Sequence, residues 1–144
     1  MTDNAKLLVE AARKAALNAY APYSRFAVGA AVLLADGEII SAANFENASY
    51  GLSLCAETVA MAMIGNAGKL DQVVAIGITG SMIGAKSDAP ILPCGRCRQI
   101  LNEAAQRGKR DLAIYCAGSE GDTTQTYSLS ELLPHAFGPA DLGL

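Results

Sequence analysis

Three thiols and one carboxylate carry most of the chemistry this chain could do. Cys55 opens Cys55-Ala56-Glu57, and Cys94 and Cys97 form a Cys-x-x-Cys pair within Pro93-Cys94-Gly95-Arg96-Cys97. Three thiolates can hold Zn²⁺ and leave its fourth tetrahedral position for water. A carboxylate two residues after the first thiol, here Glu57, suits a proton shuttle at that water. Burial beside an anionic centre would raise its pKa toward working pH. The zinc with three thiolates would carry a net charge of about −1, so its water is a poorer acid than at a site built from neutral ligands. Something must therefore drain charge from the sulfurs. Helix N-termini offer free N–H groups and a partial positive charge, and Cys55 and the Cys94/Cys97 pair both fall at predicted helix starts. Arg96 and Arg98, flanking Cys97, are further candidates through N–H···S contacts.

Other readings of the same residues exist. A Cys-x-x-Cys pair also suits redox chemistry or half of a structural zinc site. A structural site needs a fourth protein ligand, and only Cys116 and His135 remain to supply one. Cys116 lies in Ile114-Tyr115-Cys116-Ala117, where a free cysteine behaves as a small hydrophobe. His135 follows Pro134 and reads as a surface or interface residue. The open, catalytic site is the favoured reading.

The elements that must position these groups follow from periodicity. Residues 4–19 read as a helix, with Leu8, Ala12, Ala15 and Ala19 on one stripe. Residues 26–34 read as a strand buried on both faces. Asp36-Gly37 predicts a two-residue hairpin into a second strand at 38–42. Residues 44–53 read as a shaped polar loop, 54–66 as a helix, 73–79 as a β-branched strand and 80–90 as a mobile loop. A helix at 97–106, a strand at 112–117 and an edge strand at 125–127 follow. Ser128 and Glu131 form a Ser-x-x-Glu cap for a short helix at 128–133. An antiparallel hairpin followed by β-α-β crossovers predicts an α/β fold: three α-β-α layers around a mixed sheet of about five strands. No repeat, low-complexity segment or linker interrupts the sequence, so residues 1–144 read as a single domain.

Composition narrows the function. Half the residues are hydrophobic, 51%, and only 17% are charged. That is ample for one core, with a surplus that could cover a subunit interface. A net charge of −3 and scattered basic residues argue against a nucleic-acid surface. The longest apolar run, residues 27–35, falls far short of the ~20 residues that cross a membrane. The opening Met-Thr-Asp-Asn-Ala-Lys predicts no secretion signal. Cysteines in such a chain read as reduced thiols or metal ligands, and the expected location is the cytoplasm.

The motifs together resemble the small, homotetrameric type of cytidine deaminase. Those that carry the likeness are Ala21-Pro22-Tyr23-Ser24-Arg25-Phe26, Asn44-Phe45-Glu46-Asn47, Cys55-Ala56-Glu57, Pro93-Cys94-Gly95-Arg96-Cys97-Arg98-Gln99 and Leu132-Leu133-Pro134-His135-Ala136-Phe137-Gly138-Pro139, in the family's order. The resemblance implies one Zn²⁺ per subunit on Cys55, Cys94 and Cys97, with Glu57 as general acid/base. It implies that Asn44 and Glu46 bind the ribose hydroxyls and that Phe26 packs on the pyrimidine. The backbone around Ala56 and Pro93 would read the base edge. Phe137 and the loop at 48–50 would reach an active site shared between subunits of a homotetramer. The implied reaction is hydrolysis of cytidine and 2′-deoxycytidine to the uridine products and ammonia, in pyrimidine salvage.

One position departs from the pattern. Such enzymes usually read Cys-Ala-Glu-Arg, where the arginine hydrogen-bonds the zinc thiolates; this chain has Thr58 there. Arg96, between the later cysteines, is similar to an arrangement in blasticidin S deaminases and is expected to take over the buffering of thiolate charge. The swap leaves open a modified substrate, such as blasticidin S or an N4-substituted cytidine. A zinc-stabilised binding module without catalysis and a polymer-editing deaminase are the readings from further afield.

Overall fold

The computed structural model describes residues 3–144; Met1 and Thr2, which the export-signal reading includes, lie outside it. Five strands form one sheet: β1 Phe26–Leu34, β2 Ile39–Ala43, β3 Val73–Met82, β4 Ala113–Ala117 and β5 Thr124–Ser128. Their order is β2-β1-β3-β4-β5. Among these strand pairs β3/β4 is parallel and the others are antiparallel, so the sheet is mixed as expected.

Helix α1, Asp3–Ala16, packs on one face through Ala5, Leu8, Val9 and Ala12 against Ala31, Ala75 and Tyr115. Helices α2, Ala56–Asn66, and α3, Gly95–Gly108, cover the other face. Between them and the sheet lie Ile64, Leu101, Ile76, Ile78 and Ile114, all at most 1% exposed. Each such side chain contributes about 1.5–3 kcal/mol through burial. A short α4, Leu129–Leu132, is capped as the sequence predicts: Glu131 N donates to Ser128 Oγ, and Ser128 N donates to Glu131 Oε1 at 2.8 Å.

The close seat of α1 depends on two glycines of the sheet. A Cβ on Gly29 would collide with the Ala12 carbonyl, and one on Gly77 would lie 2.8 Å from Leu8. Among the described residues no helix is long and apolar enough to cross a membrane.

Several boundaries differ from the sequence reading. The first helix stops at Ala16 rather than 19, because Tyr20 N is captured by the Asn44 carbonyl at 3.0 Å. The β1–β2 connection is wider than a two-residue hairpin: Gly37 N donates to the Leu34 carbonyl and Leu34 N to the Glu38 carbonyl, with Gly37 at φ 91. That is a three-residue loop ending in a left-handed glycine. Strand β3 runs on to Met82, three residues into the segment read as a loop, because Gly80, Ser81 and Met82 pair with Val28, Ala27 and Phe26. The extra pairing fixes the start of β1, where the candidate site begins. Helix α3 starts at Gly95, two residues earlier than read.

Candidate active site

Two helix starts converge on one point. Cys55 is the N-cap of α2 and Cys94 the N-cap of α3, both in extended conformation and neither using its side chain to cap. The sulfurs therefore stay available, while Glu57 and Cys97 sit in the first turns. Cys55 is presented by a reciprocal backbone pair, Phe45 N to the Leu54 carbonyl at 2.9 Å and Leu54 N to the Phe45 carbonyl at 2.8 Å. This pair closes the polar loop 46–53.

The sulfurs of Cys55, Cys94 and Cys97 lie within 4.8 Å of one another. Cys55 Sγ and Cys94 Sγ are 3.9 Å apart. Two sulfurs on one tetrahedral zinc at about 2.3 Å each stand about 3.8 Å apart, whereas a disulfide needs about 2.05 Å. All four cysteines are free thiols. The donor set thus fits a zinc ion. Among the described residues no fourth side chain joins the cluster, and neither Cys116 nor His135 is part of it. The closed structural site loses its fourth ligand on this geometry.

Electrostatics fit the same picture. A hydrogen bond from Cys97 brings the Cys55 thiol down to about 6; Cys94 and the Arg96 charge add to this, while burial opposes it. The same Cys55 bond, with burial and the nearby Glu57 charge, pushes the Cys97 thiol up. Burial raises the Glu57 carboxyl above the usual range, and the Cys55 charge adds to this against hydrogen bonds from its own backbone N–H and from Cys97. Glu57 is 3% exposed.

A cavity of about 280 Å³ opens onto this cluster. Phe26, Asn44 and Glu46 line it together with Cys55, Ala56 and Glu57, and Ile91 and Leu92 form its far wall. Asn44 is held rigidly: Val28 N donates to its Oδ1 at 3.0 Å, and its Nδ2 donates to the Phe26 carbonyl at 2.8 Å. Glu46 Oε1 accepts from Tyr23 N and Ser24 N, each at 3.1 Å. Hydrogen bonds from Ser24, side chain first, hold the Glu46 carboxyl below its ordinary range.

The remaining candidates lie elsewhere. Pro93 is fully buried, and its carbonyl accepts from Arg98 Nε at 2.8 Å. Arg98 also donates to the Leu132 carbonyl at 3.0 Å, so its guanidinium ties two backbone segments and is not the sulfur contact anticipated above. Arg96 is exposed and acts on Cys55 through charge, with no hydrogen bond to sulfur among the described residues. Phe137 does not line the cavity of this chain; the residue is 61% exposed while its carbonyl accepts from Gln99 and Asn102.

The sequence reading missed the Ile91 and Leu92 wall, although an apolar pair just ahead of Pro93 is a visible signal. It also passed over Thr58 as chargeless. In the structure Thr58 Oγ1 lies 3.9 Å from Cys97 Sγ.

Residues 2–110 match the model of the cytidine and deoxycytidylate deaminase zinc-binding region. The chain belongs to that family. It is 43% identical over 137 residues to a cytidine deaminase of Halalkalibacterium halodurans, covering 95% of this chain and 96% of that one. A cytidine deaminase of Mycobacterium tuberculosis is 41% identical over 133 residues, covering 91% and 87%. Among solved structures, a cytidine deaminase from Burkholderia pseudomallei superposes with a TM-score of 0.79 at 41% identity, covering 95% of this chain and 100% of that one. Membership agrees with the zinc-ligand geometry and with the three-layer α-β-α arrangement.

Proposed function

We propose that the whole chain, residues 1–144, is one cytidine deaminase domain that hydrolyses cytidine and 2′-deoxycytidine to the uridine products and ammonia, serving pyrimidine salvage. The observation that carries this is the cluster of three sulfurs with Glu57 at the floor of a cavity walled by Phe26, Asn44 and Glu46.

A zinc ion held by Cys55, Cys94 and Cys97 would supply the Lewis acidity that makes water a nucleophile at neutral pH. Glu57 then handles the protons. Its buried carboxylate takes a proton from the attacking water and passes it to ring N3 as the C4–O bond forms, then takes the proton of the new C4 hydroxyl and passes it to the amine as the C4–N bond breaks, leaving a C4 carbonyl and ammonia. The Ala56 backbone, in the cavity lining, addresses the base edge, and Phe26 flanks the ring. Asn44 and Glu46 receive the sugar hydroxyls, each pre-oriented by the backbone bonds described above. Arg96 contributes positive charge near Cys55.

The cavity lining contains no Lys or Arg, and it carries an ionised Glu46. That favours an uncharged nucleoside over a phosphorylated one within a family whose name spans both. The exposed Phe137 on a clamped backbone supports a homotetramer in which it reaches a neighbour's site. The use of thiols as metal ligands rather than disulfides favours the cytoplasm.

The test is metal content together with ultraviolet assays of cytidine, deoxycytidine, deoxycytidylate, blasticidin S and N4-substituted cytidines, with light scattering for assembly. One zinc per chain and highest kcat/KM on the free nucleosides are expected. Zinc without turnover on any of them would make the chain a binding module.

A further inference from the structure

The metal reading leaves the buried Cys97 sulfur with an unsolved need. Cys97 is 0% exposed, and its sulfur lies within 4.8 Å of the Cys55 and Cys94 sulfurs. Once three thiolates ligate a metal, the S–H donors are gone, and any proton on Glu57 is the one the reaction moves, so it is no permanent donor to the sulfur. Arg96 is exposed and, among the described residues, makes no hydrogen bond to sulfur, and Arg98 is committed to the Pro93 and Leu132 carbonyls.

One side-chain donor remains. Thr58 Oγ1 stands 3.9 Å from Cys97 Sγ, and this is its sole side-chain hydrogen bond among the described residues. A helical threonine often turns its hydroxyl back to the carbonyl four residues earlier. Here that carbonyl, of Leu54, already accepts from Phe45 N.

We propose that the Thr58 hydroxyl is a positioning residue for the metal centre: it donates to the Cys97 sulfur and stabilises the negative charge that sulfur carries in the metal-loaded site. A neutral hydroxyl thus does locally what a cation does elsewhere. Thr58 does not reach the substrate cavity. It lines a separate groove of about 400 Å³ between α2 and α3, with Met61, Leu70 and Ile100. Its effect therefore passes through the sulfur and not through the nucleoside.

The inference rests on the zinc reading, and the test separates the two. Zinc-loaded wild type, Thr58→Val and Thr58→Ser are compared for the rate of zinc transfer to a chromogenic chelator at fixed pH. Their cobalt-substituted forms are compared for the energy of the sulfur-to-cobalt charge-transfer band. Thr58→Val keeps the shape and removes the donor; it is expected to release zinc about five-fold faster and to move the band to lower energy, with KM for cytidine unchanged. Thr58→Ser is expected to match wild type. Should Thr58→Val fail to fold, Thr58→Ala against Thr58→Ser makes the same comparison. Wild-type values for Thr58→Val in both readouts, or a Thr58→Ser as altered as Thr58→Val, would overturn the proposal while leaving the zinc site standing. A wild type that binds no zinc would remove both.

Discussion

Asn44 Nδ2 donates to the Phe26 carbonyl at 2.8 Å, so the residue proposed to grip the sugar also holds the residue proposed to flank the ring. With Oδ1 taken by Val28 N, the amide is used once as donor and once as acceptor, and it retains one further N–H and one further lone pair for a ligand. Asn44→Asp replaces the donor with a carboxylate facing a carbonyl. The expected result is a KM for cytidine raised about ten-fold or more and a loss of about 1–3 kcal/mol of stability. Steady-state kinetics and thermal melts check it. A lowered melt with an unchanged KM would make the amide a strut alone.

Glu57→Gln keeps size and burial but cannot carry a proton. The expected fall in kcat is about 10²- to 10⁴-fold, with zinc content unchanged by atomic absorption. Retained turnover would move the proton shuttle to another group.

Metal removal should sort the four thiols by exposure. Cys94 is exposed and Cys55 half-buried, whereas Cys97 and Cys116 are buried. In metal-free folded protein, iodoacetamide is expected to modify Cys94 and Cys55, and to reach Cys97 and Cys116 only after unfolding. The pH dependence follows from the shifts. With its thiol at about 6 instead of 9.0, Cys55 is already thiolate at neutral pH, and its alkylation rate should fall as pH drops through 6. Burial holds the Cys116 thiol up at about 12, so it stays protonated throughout that range. Peptide mass spectrometry reads both; a Cys55 midpoint near the ordinary thiol value would contradict the assignment.

Gly29→Ala tests the packing of α1. The added methyl meets the carbonyl of the buried Ala12, so a loss of about 1–3 kcal/mol is expected, read as a lower melting temperature. A neutral substitution would mean that α1 shifts freely on the sheet.

The metal ligands were legible because thiols and a carboxylate at fixed short spacings leave few alternatives. Strand and helix identities were legible for the same periodic reason, from Val73-Val74-Ala75-Ile76 to the Ser128/Glu131 cap. What escaped was set by partners distant in sequence. The end of α1 depends on Asn44, and the extension of β3 to Met82 depends on Phe26. Arg98 sits beside two cysteines in sequence, yet its guanidinium is drawn to carbonyls 5 and 34 residues away. Thr58 looked like a lost charge, and only the packing of α2 on α3 brings its hydroxyl to a sulfur.

Helix α3 bears two sulfur donors at its beginning, while Gln99, Asn102 and Gln106 along its flank hold the Phe137 carbonyl and the Ala140 amide. The C-terminal segment and two of the three clustered thiols are thus mounted on one rod. A displacement of the tail would be felt at the thiol cluster without crossing the sheet.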